Sequence, residues 1–281
     1  MNIAEALREA SRILQGADVP EARREAGSLL SFIVGKDRTF LIGHAEDSLD
    51  QSSLDRFREA VERRAAGEPL QYITGGQDFF GREFRVTPDV LIPRPETELL
   101  VEAALEVVGD APLICDVGTG SGCIAVTLLC EIVMARAVAL DKSPAALKIA
   151  KFNAEKLSVA DRAVFAVSDC FESLDSREYQ FDLIASNPPY VPAEVVPELQ
   201  REIRDHEPFV ALSPGPDGLS MIRRLLIEAP AFLKQNGYLI MEIGFDQGEK
   251  VRSLIDADVW RLLELRPDLQ GIPRILVLQK R

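Results

Sequence analysis

Hydrophobic positions divide the chain into two parts with different periodicity. In residues 1–67 apolar side chains recur every three or four positions, as at Ile3, Leu7, Ala10 and Leu14, and this spacing predicts amphipathic helices. From Pro95 onward, short apolar runs alternate with helical stretches, and the runs predicted to be strands are 113–117, 137–141, 163–169, 181–186, 238–244 and 274–279. Strands that alternate with helices predict a mostly parallel, doubly wound α/β sheet, which binds ligands at the carboxyl ends of its strands.

Residues 68–94 follow neither pattern. They are rich in Gly, Pro and aromatic residues, with short β-like pieces around Phe79 and Phe84, and they predict a β-hairpin linker. The predicted organisation is therefore a helical N-terminal domain over 1–67, a hairpin linker over 68–94 and an α/β domain over 95–281. In the first domain, the helix that runs into VERRAA is expected to begin at Ser52 as its N-cap. The arginines of that helix alternate with acidic residues, which favours a solvated face over a binding patch.

Composition narrows the class of protein. The 281 residues include 32 Lys+Arg against 45 Asp+Glu, a net charge of −13, and neither the first 92 residues nor the remainder has a basic excess. Direct nucleic-acid binding is therefore not expected, since phosphate contacts need clustered cations. No apolar run approaches the ~20 residues that cross a bilayer, and the N-terminus lacks a signal-peptide pattern. With four cysteines, no C-x-x-C pair and two distant histidines, we expect a cytoplasmic protein with reduced thiols, no membrane contact and no metal site.

A glycine-rich loop follows the first predicted strand of the α/β domain. In CDVGTGSGCIAV, Gly118, Gly120 and Gly122 come between a strand and a helix, where glycines allow a tight turn and the close approach of a ligand. The spacing differs from the G-x-G-x-x-G of dinucleotide folds, and no Lys-Ser/Thr follows, which argues against phosphate transfer. Asp141 ends the next strand, where an acid can bind the ribose hydroxyls of an adenosine-containing ligand; alternatively, Asp141 only caps the helix that begins near Ser143.

A second loop ends the strand that contains Leu183 and Ala185. Its residues are Asn187, Pro188, Pro189 and Tyr190. Two consecutive prolines remove two backbone donors and fix two φ angles, so neither a helix nor a central strand can continue. The result is a stiff loop that presents one amide side chain and one aromatic ring, although a plain surface turn would also explain the segment when it is taken alone.

Together these motifs resemble the release factor glutamine methyltransferases, the HemK/PrmC family. The resemblance covers nearly the whole chain and rests on IPRPETE (92–98), DVGTGSG (116–122), SNPPY (186–190), ALSPGPDGL (211–219) and YLIMEIG (238–244). It implies a Rossmann-like class I methyltransferase domain, with a doubly wound sheet, a small all-helical N-terminal domain and a β-hairpin linker. It also implies methyl transfer from S-adenosyl-L-methionine to the side-chain amide N5 of the glutamine in the Gly-Gly-Gln motif of peptide-chain release factors, which act in translation termination.

The resemblance assigns expected roles to individual residues. The loop lining the methionine and ribose parts of the cofactor would be Gly118, Thr119, Gly120, Ser121 and Gly122. Asp141 would hold the ribose and Asp169 would approach the adenine. Family members commonly have Trp after that Asp; here Cys170 and Phe171 follow. Both are expected among the cofactor-binding residues, with a place in the core as the alternative for Phe171.

The expected catalytic residues lie in the SNPPY segment. Asn187 Oδ1 and the Pro188 carbonyl would accept the two N–H groups of the substrate amide, and Tyr190 would stack on it. Pro189 would complete the substrate-binding loop, and Asn187 would also border the cofactor. The side-chain N–H donor of Asn187 is expected to brace the loop. An Asp at this position would lack that donor.

Two other functions remain open at this point. An adenine-N6 DNA or RNA methyltransferase would use the same loop on a flipped base, although the acidic N-terminal part argues against it. The second alternative is a non-catalytic module that binds an adenosine-type ligand or a release factor. The intact Asn187–Tyr190 loop argues against this alternative. The helical domain and hairpin are expected to help position a protein substrate. The chain's own Gly-Gly-Gln at 75–77 is interpreted as a glycine turn in preference to a self-methylation site.

Overall fold

The computed structural model describes all 281 residues. They form two compact units: Met1–Gly76 with Gln200–His206, and Gln77–Leu199 with Glu207–Arg281. The helices are α1 Ile3–Gly16, α2 Ala22–Val34, α3 Arg38–Gly43, α4 Gln51–Ala65, α5 Leu70–Thr74, α6 Glu98–Val107, α7 Cys123–Glu131, α8 Pro144–Lys156, α9 Arg201–His206, α10 Phe209–Leu212, α11 Ser220–Phe232 and α12 Gly248–Leu254. The strands are β1 Gly76–Phe79, β2 Arg82–Arg85, β3 Leu113–Val117, β4 Arg136–Asp141, β5 Ala163–Val167, β6 Phe181–Ser186, β7 Leu233–Glu242, β8 Trp260–Pro267 and β9 Pro273–Lys280.

The helical unit is built around the apolar stripes of α1, α2 and α4. Leu14, Leu29, Leu30 and Phe57 are buried together, as the three-to-four spacing predicts. The start of α4 differs from the prediction. Its N-cap is Asp50, whose side chain accepts a hydrogen bond from the Ser53 backbone N–H at 2.9 Å, so the helix begins one half-turn earlier than a Ser52 cap would place it.

The helical unit also extends further along the chain than the predicted boundary at 67. The first residues of the predicted linker form α5, which buries Tyr72 and Ile73. Arg64 of α4 is only 3% exposed, so its prediction as part of a solvated face is wrong. Its guanidinium is paired with Glu25 of α2 and with Glu202 of α9, because a buried charge needs compensating partners.

The α/β unit has the predicted doubly wound sheet. The strand order is β5-β4-β3-β6-β7-β9-β8, in which the pairs from β5 to β7 are parallel and β9 is antiparallel to both of its neighbours. Every predicted strand is present, whereas β8 was not predicted. Consecutive residues of β6 belong to different buried clusters, one on each face of the sheet: Leu183 packs with α6 and α7, and Ile184 packs with α11. Both faces of the sheet are therefore covered by helices.

The predicted hairpin is the two-stranded sheet of β1 and β2. Phe80 and Gly81 make its turn with φ of 51° and 70°, the backbone of a tight hairpin connection. In the chain's own Gly-Gly-Gln, only Gly75 makes the expected turn, where it ends α5 with φ 77°, and Gly76 and Gln77 belong to β1. No helix in the structure combines the length and apolar character that a bilayer crossing requires.

Strand order places the candidate residues at one edge of the sheet. β3 lies between β4 and β6, and these three strands are parallel. The glycine loop follows β3, Asp141 ends β4, and Asn187 follows β6. The three segments therefore meet at the carboxyl ends of the parallel strands. This is the topological switch point of the sheet, because the chain runs from β3 to β4 and β5 on one side and then continues with β6 on the other side of β3.

Candidate active site

The glycine loop forms one wall of a cleft. Backbone N–H groups of Gly118 and Thr119 donate to the Leu140 carbonyl at 2.8 and 2.9 Å, which ties the loop to β4. A Cβ on Gly118 or Gly120 would meet no atom within 4 Å, because both glycines border open space. Gly122 has another role, since a Cβ there would lie 3.1 Å from Ala150 Cβ. Gly122 therefore lets α7 pack closely against α8.

Asp141 connects the glycine loop to the start of α8. Its Oδ2 accepts from Gly120 N at 2.9 Å and its Oδ1 accepts from Ser143 N at 2.8 Å. The side-chain cap of α8 is Ser143, whose Oγ accepts from Ala146 N. Helix capping is thus the task of Ser143, and the Asp141 carboxylate lines the cleft.

A second carboxylate, Asp116 at the end of β3, lies fully buried beneath the same loop. Its Oδ2 accepts from Thr119 Oγ1 at 2.7 Å and from Ala125 N at 3.2 Å. Its Oδ1 has no hydrogen-bond partner. Burial raises the pKa of Asp116 to about 6, so this carboxyl is mostly ionised at neutral pH and makes the local potential negative.

The far end of the cleft is lined by Ser168, Asp169 and Cys170. Asp169 Oδ1 accepts from Arg224 Nη1 at 2.5 Å. Phe171 is 2% exposed and stacks on Phe232 with ring centroids 4.6 Å apart. Its side chain belongs to the core between strands and α11, and it does not line the cleft, so of the two interpretations left open for Phe171 the core one describes its position.

The Asn187 side chain is held by a buried hydrogen-bond network. Asn187 Nδ2 donates to Thr97 Oγ1 at 3.0 Å, and Thr97 Oγ1 donates to Glu242 Oε2 at 2.6 Å. The Tyr190 hydroxyl donates to Glu242 Oε1 at 3.0 Å. We call these four residues the Glu242 network. It confirms the expectation that the Asn187 N–H donor braces the loop.

The network determines which way the Asn187 amide faces. Thr97 has one hydroxyl proton, and Glu242, 1% exposed, accepts it. With Glu242 ionised, the group that faces Thr97 Oγ1 from the other side must be an N–H, as Asn187 Nδ2 is, and Asn187 Oδ1 accepts no hydrogen bond from the protein. Burial raises the pKa of Glu242 above its usual value, and the hydrogen bonds from Thr97 and Tyr190 offset only part of that increase. Burial also raises the pKa of Tyr190, so its hydroxyl stays protonated and remains a donor.

The 211–219 segment supports the backbone of the Asn187–Tyr190 loop. Gly218 lies so close that a Cβ on it would be 2.3 Å from the Tyr190 carbonyl oxygen. Gln247 Nε2 donates to the carbonyls of Tyr190 and Gly218 at 3.1 and 3.2 Å. Val191 N donates to Leu212 O at 3.0 Å. The two loops are thus fixed to each other by backbone contacts that only glycine at 218 permits.

The cleft has a volume of about 970 Å³, part of it open to solvent. The predicted residues that line it are Gly118, Thr119, Gly120, Ser121, Asp141, Asp169, Cys170, Asn187 and Pro189. Four predicted residues do not line it: Gly122, Phe171, Pro188 and Tyr190. Arg94 also borders the cleft, and its Nη2 donates to Glu207 Oε1 at 2.6 Å.

Sequence reasoning missed several residues of this site, namely Arg94, Thr97, Asp116 and Glu242. All four lie inside the motifs quoted above. The sequence does contain a signal for two of them, because Asp116 and Glu242 are the single charged residues in otherwise apolar strand segments. A carboxylate in such a strand is costly to bury without hydrogen-bond donors.

The chain has sequence relatives among known proteins that match it over nearly its whole length. Residues 5–75 match the family model of the PrmC N-terminal domain, and residues 110–252 match that of a methyltransferase domain. The chain is 42% identical to a release factor glutamine methyltransferase of Koribacter versatilis, over 100% of this chain and 99% of that protein. It is 44% identical to a release factor glutamine methyltransferase of Cereibacter sphaeroides, over 98% of each chain.

Solved structures with the same fold are more distant in sequence. A methyltransferase from Pyrococcus furiosus superposes with a TM-score of 0.55 at 15% identity, over 79% of this chain and 98% of that one. The hMettl16 catalytic domain, in complex with the MAT2A 3'UTR hairpin 6, superposes with a TM-score of 0.58 at 14% identity, over 82% of each chain. At these identities the likeness concerns the Rossmann-like methyltransferase fold alone.

Proposed function

Because the chain belongs to the release factor glutamine methyltransferase family, we propose that it transfers a methyl group from S-adenosyl-L-methionine to the side-chain amide N5 of the glutamine in the Gly-Gly-Gln motif of peptide-chain release factors. The named relatives support methylation of release factors. The methyl donor and the position of the acceptor glutamine are the finer parts of the proposal, and the geometry of the cleft is what supports them.

The residues of the cleft fit S-adenosyl-L-methionine. Gly118 and Gly120 keep side chains out of the space that a ligand would occupy, and Asp141 offers carboxylate oxygens at the position expected for ribose hydroxyls. The unpartnered Oδ1 of buried Asp116 favours a cationic ligand beside the loop. When bound, this cofactor supplies an electrophilic methyl group on a positively charged sulfur.

The Asn187 loop would hold the substrate amide. An amide nitrogen is a poor nucleophile because its lone pair is delocalised into the carbonyl. Asn187 Oδ1 would accept one N–H of the glutamine side chain and the Pro188 carbonyl would accept the other. As the nitrogen loses planarity and gains positive charge, both hydrogen bonds would strengthen, which stabilises the transition state more than the ground state. Well-oriented attack is worth roughly 7–11 kcal/mol of the barrier.

The single observation that carries this proposal is the orientation of the Asn187 amide. The Glu242 network directs Nδ2 toward Thr97, so the free acceptor Oδ1 is available to a donor in the cleft. The two prolines restrict the backbone of the loop. A preorganised acceptor needs no rearrangement when the substrate nitrogen becomes positive.

The test is mass spectrometry of a release factor and unmethylated DNA incubated together with the enzyme and S-adenosyl-L-methionine. We expect one added methyl group on the glutamine of the Gly-Gly-Gln peptide. In Asn187→Ala, cofactor affinity measured by calorimetry should stay within a few-fold of wild type, and kcat should fall by roughly 10²–10³-fold, as for loss of one preorganised polar group.

Different outcomes would reject different parts of the proposal. Methyladenine in the DNA with an unmodified release factor would retain the role of the loop and overturn the substrate. Near-wild-type transfer by Asn187→Ala would overturn the role of Asn187. Cofactor binding without any transfer would favour a non-catalytic module.

A further inference from the structure

The helical unit contains a groove that the proposed reaction does not use. It lies among α1, α2 and α3 and has a volume of about 1710 Å³, part of which is open solvent. Its lining includes Leu7, Leu41 and Ile42, which we call the floor of the groove. Ile42 is 79% exposed, so its side chain is accessible to a ligand. Four arginines border this floor, and we call the site the arginine groove: Arg8, Arg12, Arg23 and Arg38.

None of these four arginines forms an ion pair in the structure, although acidic residues are present on the same helices. Those acids are engaged elsewhere: Glu5 with Asn2 in a capping box, Glu9 with Arg58, Glu21 with Arg24 and Glu25 with Arg64. A chain with a net charge of −13 thus leaves four guanidinium groups around one groove without carboxylate partners. The four guanidinium groups are therefore available to an anionic ligand.

The lining of the groove decides between classes of anionic ligand. Single-stranded nucleic acid is bound by stacking on aromatic side chains, and no aromatic residue lines the arginine groove. Aliphatic side chains in the floor also offer neither a charge nor a hydrogen-bond donor to a phosphate backbone. A helix with an apolar stripe and carboxylates on either side matches both parts, because the stripe covers Leu7, Leu41 and Ile42 while the carboxylates meet the arginines.

We propose that the arginine groove binds an acidic amphipathic helix of the protein substrate. This inference rests on the proposed function, since it identifies a second contact of the protein that is to be methylated. The groove supplies charge complementarity, which accelerates association and selects the partner.

The test compares two charge-reversal variants with the same change in net charge. The groove variant is Arg12→Glu with Arg23→Glu. The matched control is Arg136→Glu with Arg261→Glu, which reverses two exposed arginines outside the groove that, like Arg12 and Arg23, form no ion pair. For each, kcat and KM are measured with a full-length release factor and with a short Gly-Gly-Gln peptide, and the cofactor Kd is measured by calorimetry.

We expect the groove variant to raise KM for the full-length protein about tenfold or more, because each exposed ion pair contributes a factor of about 1.4 to 5 and reversal adds repulsion. The KM for the short peptide, the kcat and the cofactor Kd should stay near wild type, and high salt should remove the difference. Equal effects of the groove and control variants, or an equal loss with the short peptide, would overturn the proposal.

A second measurement does not depend on methyl transfer. Ile42→p-benzoylphenylalanine places a photocrosslinker on the groove floor, and purified release factor is the target. We expect a crosslinked peptide with Asp or Glu at three-to-four spacing; no crosslink, or a peptide without acidic residues, would overturn the docking proposal. A crosslink without methylation would reject the proposed function alone. Binding of labelled RNA or duplex DNA by the wild type and not by the groove variant would reassign the groove to nucleic acid.

Discussion

Thr97→Val is the sharpest perturbation of the Glu242 network, because it removes one oxygen and keeps the shape of the side chain. Thr97 Oγ1 accepts from Asn187 at 3.0 Å and donates to Glu242 at 2.6 Å. The substitution therefore leaves an amide N–H without an acceptor and a buried carboxylate with one donor in place of two.

The magnitude follows from these two lost contacts. A buried polar group left without its partner costs about 1–3 kcal/mol, and more when the group is charged, so the free energy of unfolding should fall by roughly 2–5 kcal/mol. The protein should still fold, since domains have about 5–15 kcal/mol of stability. The Asn187 amide would then be free to rotate, and a displacement of about 1 Å in a positioning group lowers the rate by roughly 10²-fold.

The assay is kcat for release-factor methylation, together with cofactor affinity by calorimetry and unfolding by denaturant. We expect kcat to fall by about 10²-fold while the cofactor Kd changes little. Thr97→Ser keeps the hydroxyl and should restore most of kcat. Thr127→Val is the matched control, because Thr127 is equally buried and its Oγ1 has no hydrogen-bond partner; its stability and kcat should be unchanged or slightly raised.

One result would refute this reasoning. If Thr97→Val and Thr127→Val had the same kcat, within about twofold, the orientation of Asn187 would not depend on the Glu242 network. A fall in kcat that Thr97→Ser failed to reverse would likewise show that the hydroxyl is not the group responsible.

Two further predictions concern the cofactor side of the cleft and the supporting loop. A cation beside Asp116 favours its ionised form, and the pKa of this carboxyl is raised by burial to about 6; cofactor affinity measured by calorimetry should therefore weaken as pH falls below about 6 and level off above it, and Asp116→Asn should flatten this profile. Gly218→Ala would place a Cβ 2.3 Å from the Tyr190 carbonyl oxygen and should lower both Tm and kcat, by about tenfold for kcat. Gly271→Ala shares the positive φ but meets no atom within 4 Å, so it should lower Tm less and leave kcat unchanged.

The central parallel strands β3, β4 and β6 were predictable because they are buried on both faces and form continuous apolar runs. Once β3, β4 and β6 are known to be parallel, their following loops must meet at one edge, and the positions of Gly118, Asp141 and Asn187 follow. Strand β8 was missed because charged residues interrupt its apolar ones. Its position at the edge is not the reason, since β5 is also an edge strand and was predicted.

The contacts that orient side chains were not predictable in the same way. Thr97 meets Asn187 across 90 positions and Glu242 across 145, and no local pattern encodes such pairings. Arg64 shows the same limit, because its i, i+3 and i+4 neighbours predict a solvated helix face, and only the distant Glu25 and Glu202 reveal why it can be buried. Periodicity specifies which face of an element is covered, whereas the covering residue is decided by tertiary structure.

Glu242 nevertheless left a trace in the sequence that physical reasoning can use. Its strand segment YLIME is apolar up to the carboxylate, and a buried carboxylate without donors would cost several kcal/mol. At least two donors must therefore converge on it, and donors at the carboxyl end of a parallel strand come from the loops that surround the ligand site. In this protein they are Thr97 of the IPRPETE segment and Tyr190 of the SNPPY segment. A single buried carboxylate thus couples the positions of both segments, and perturbing one donor should displace the other.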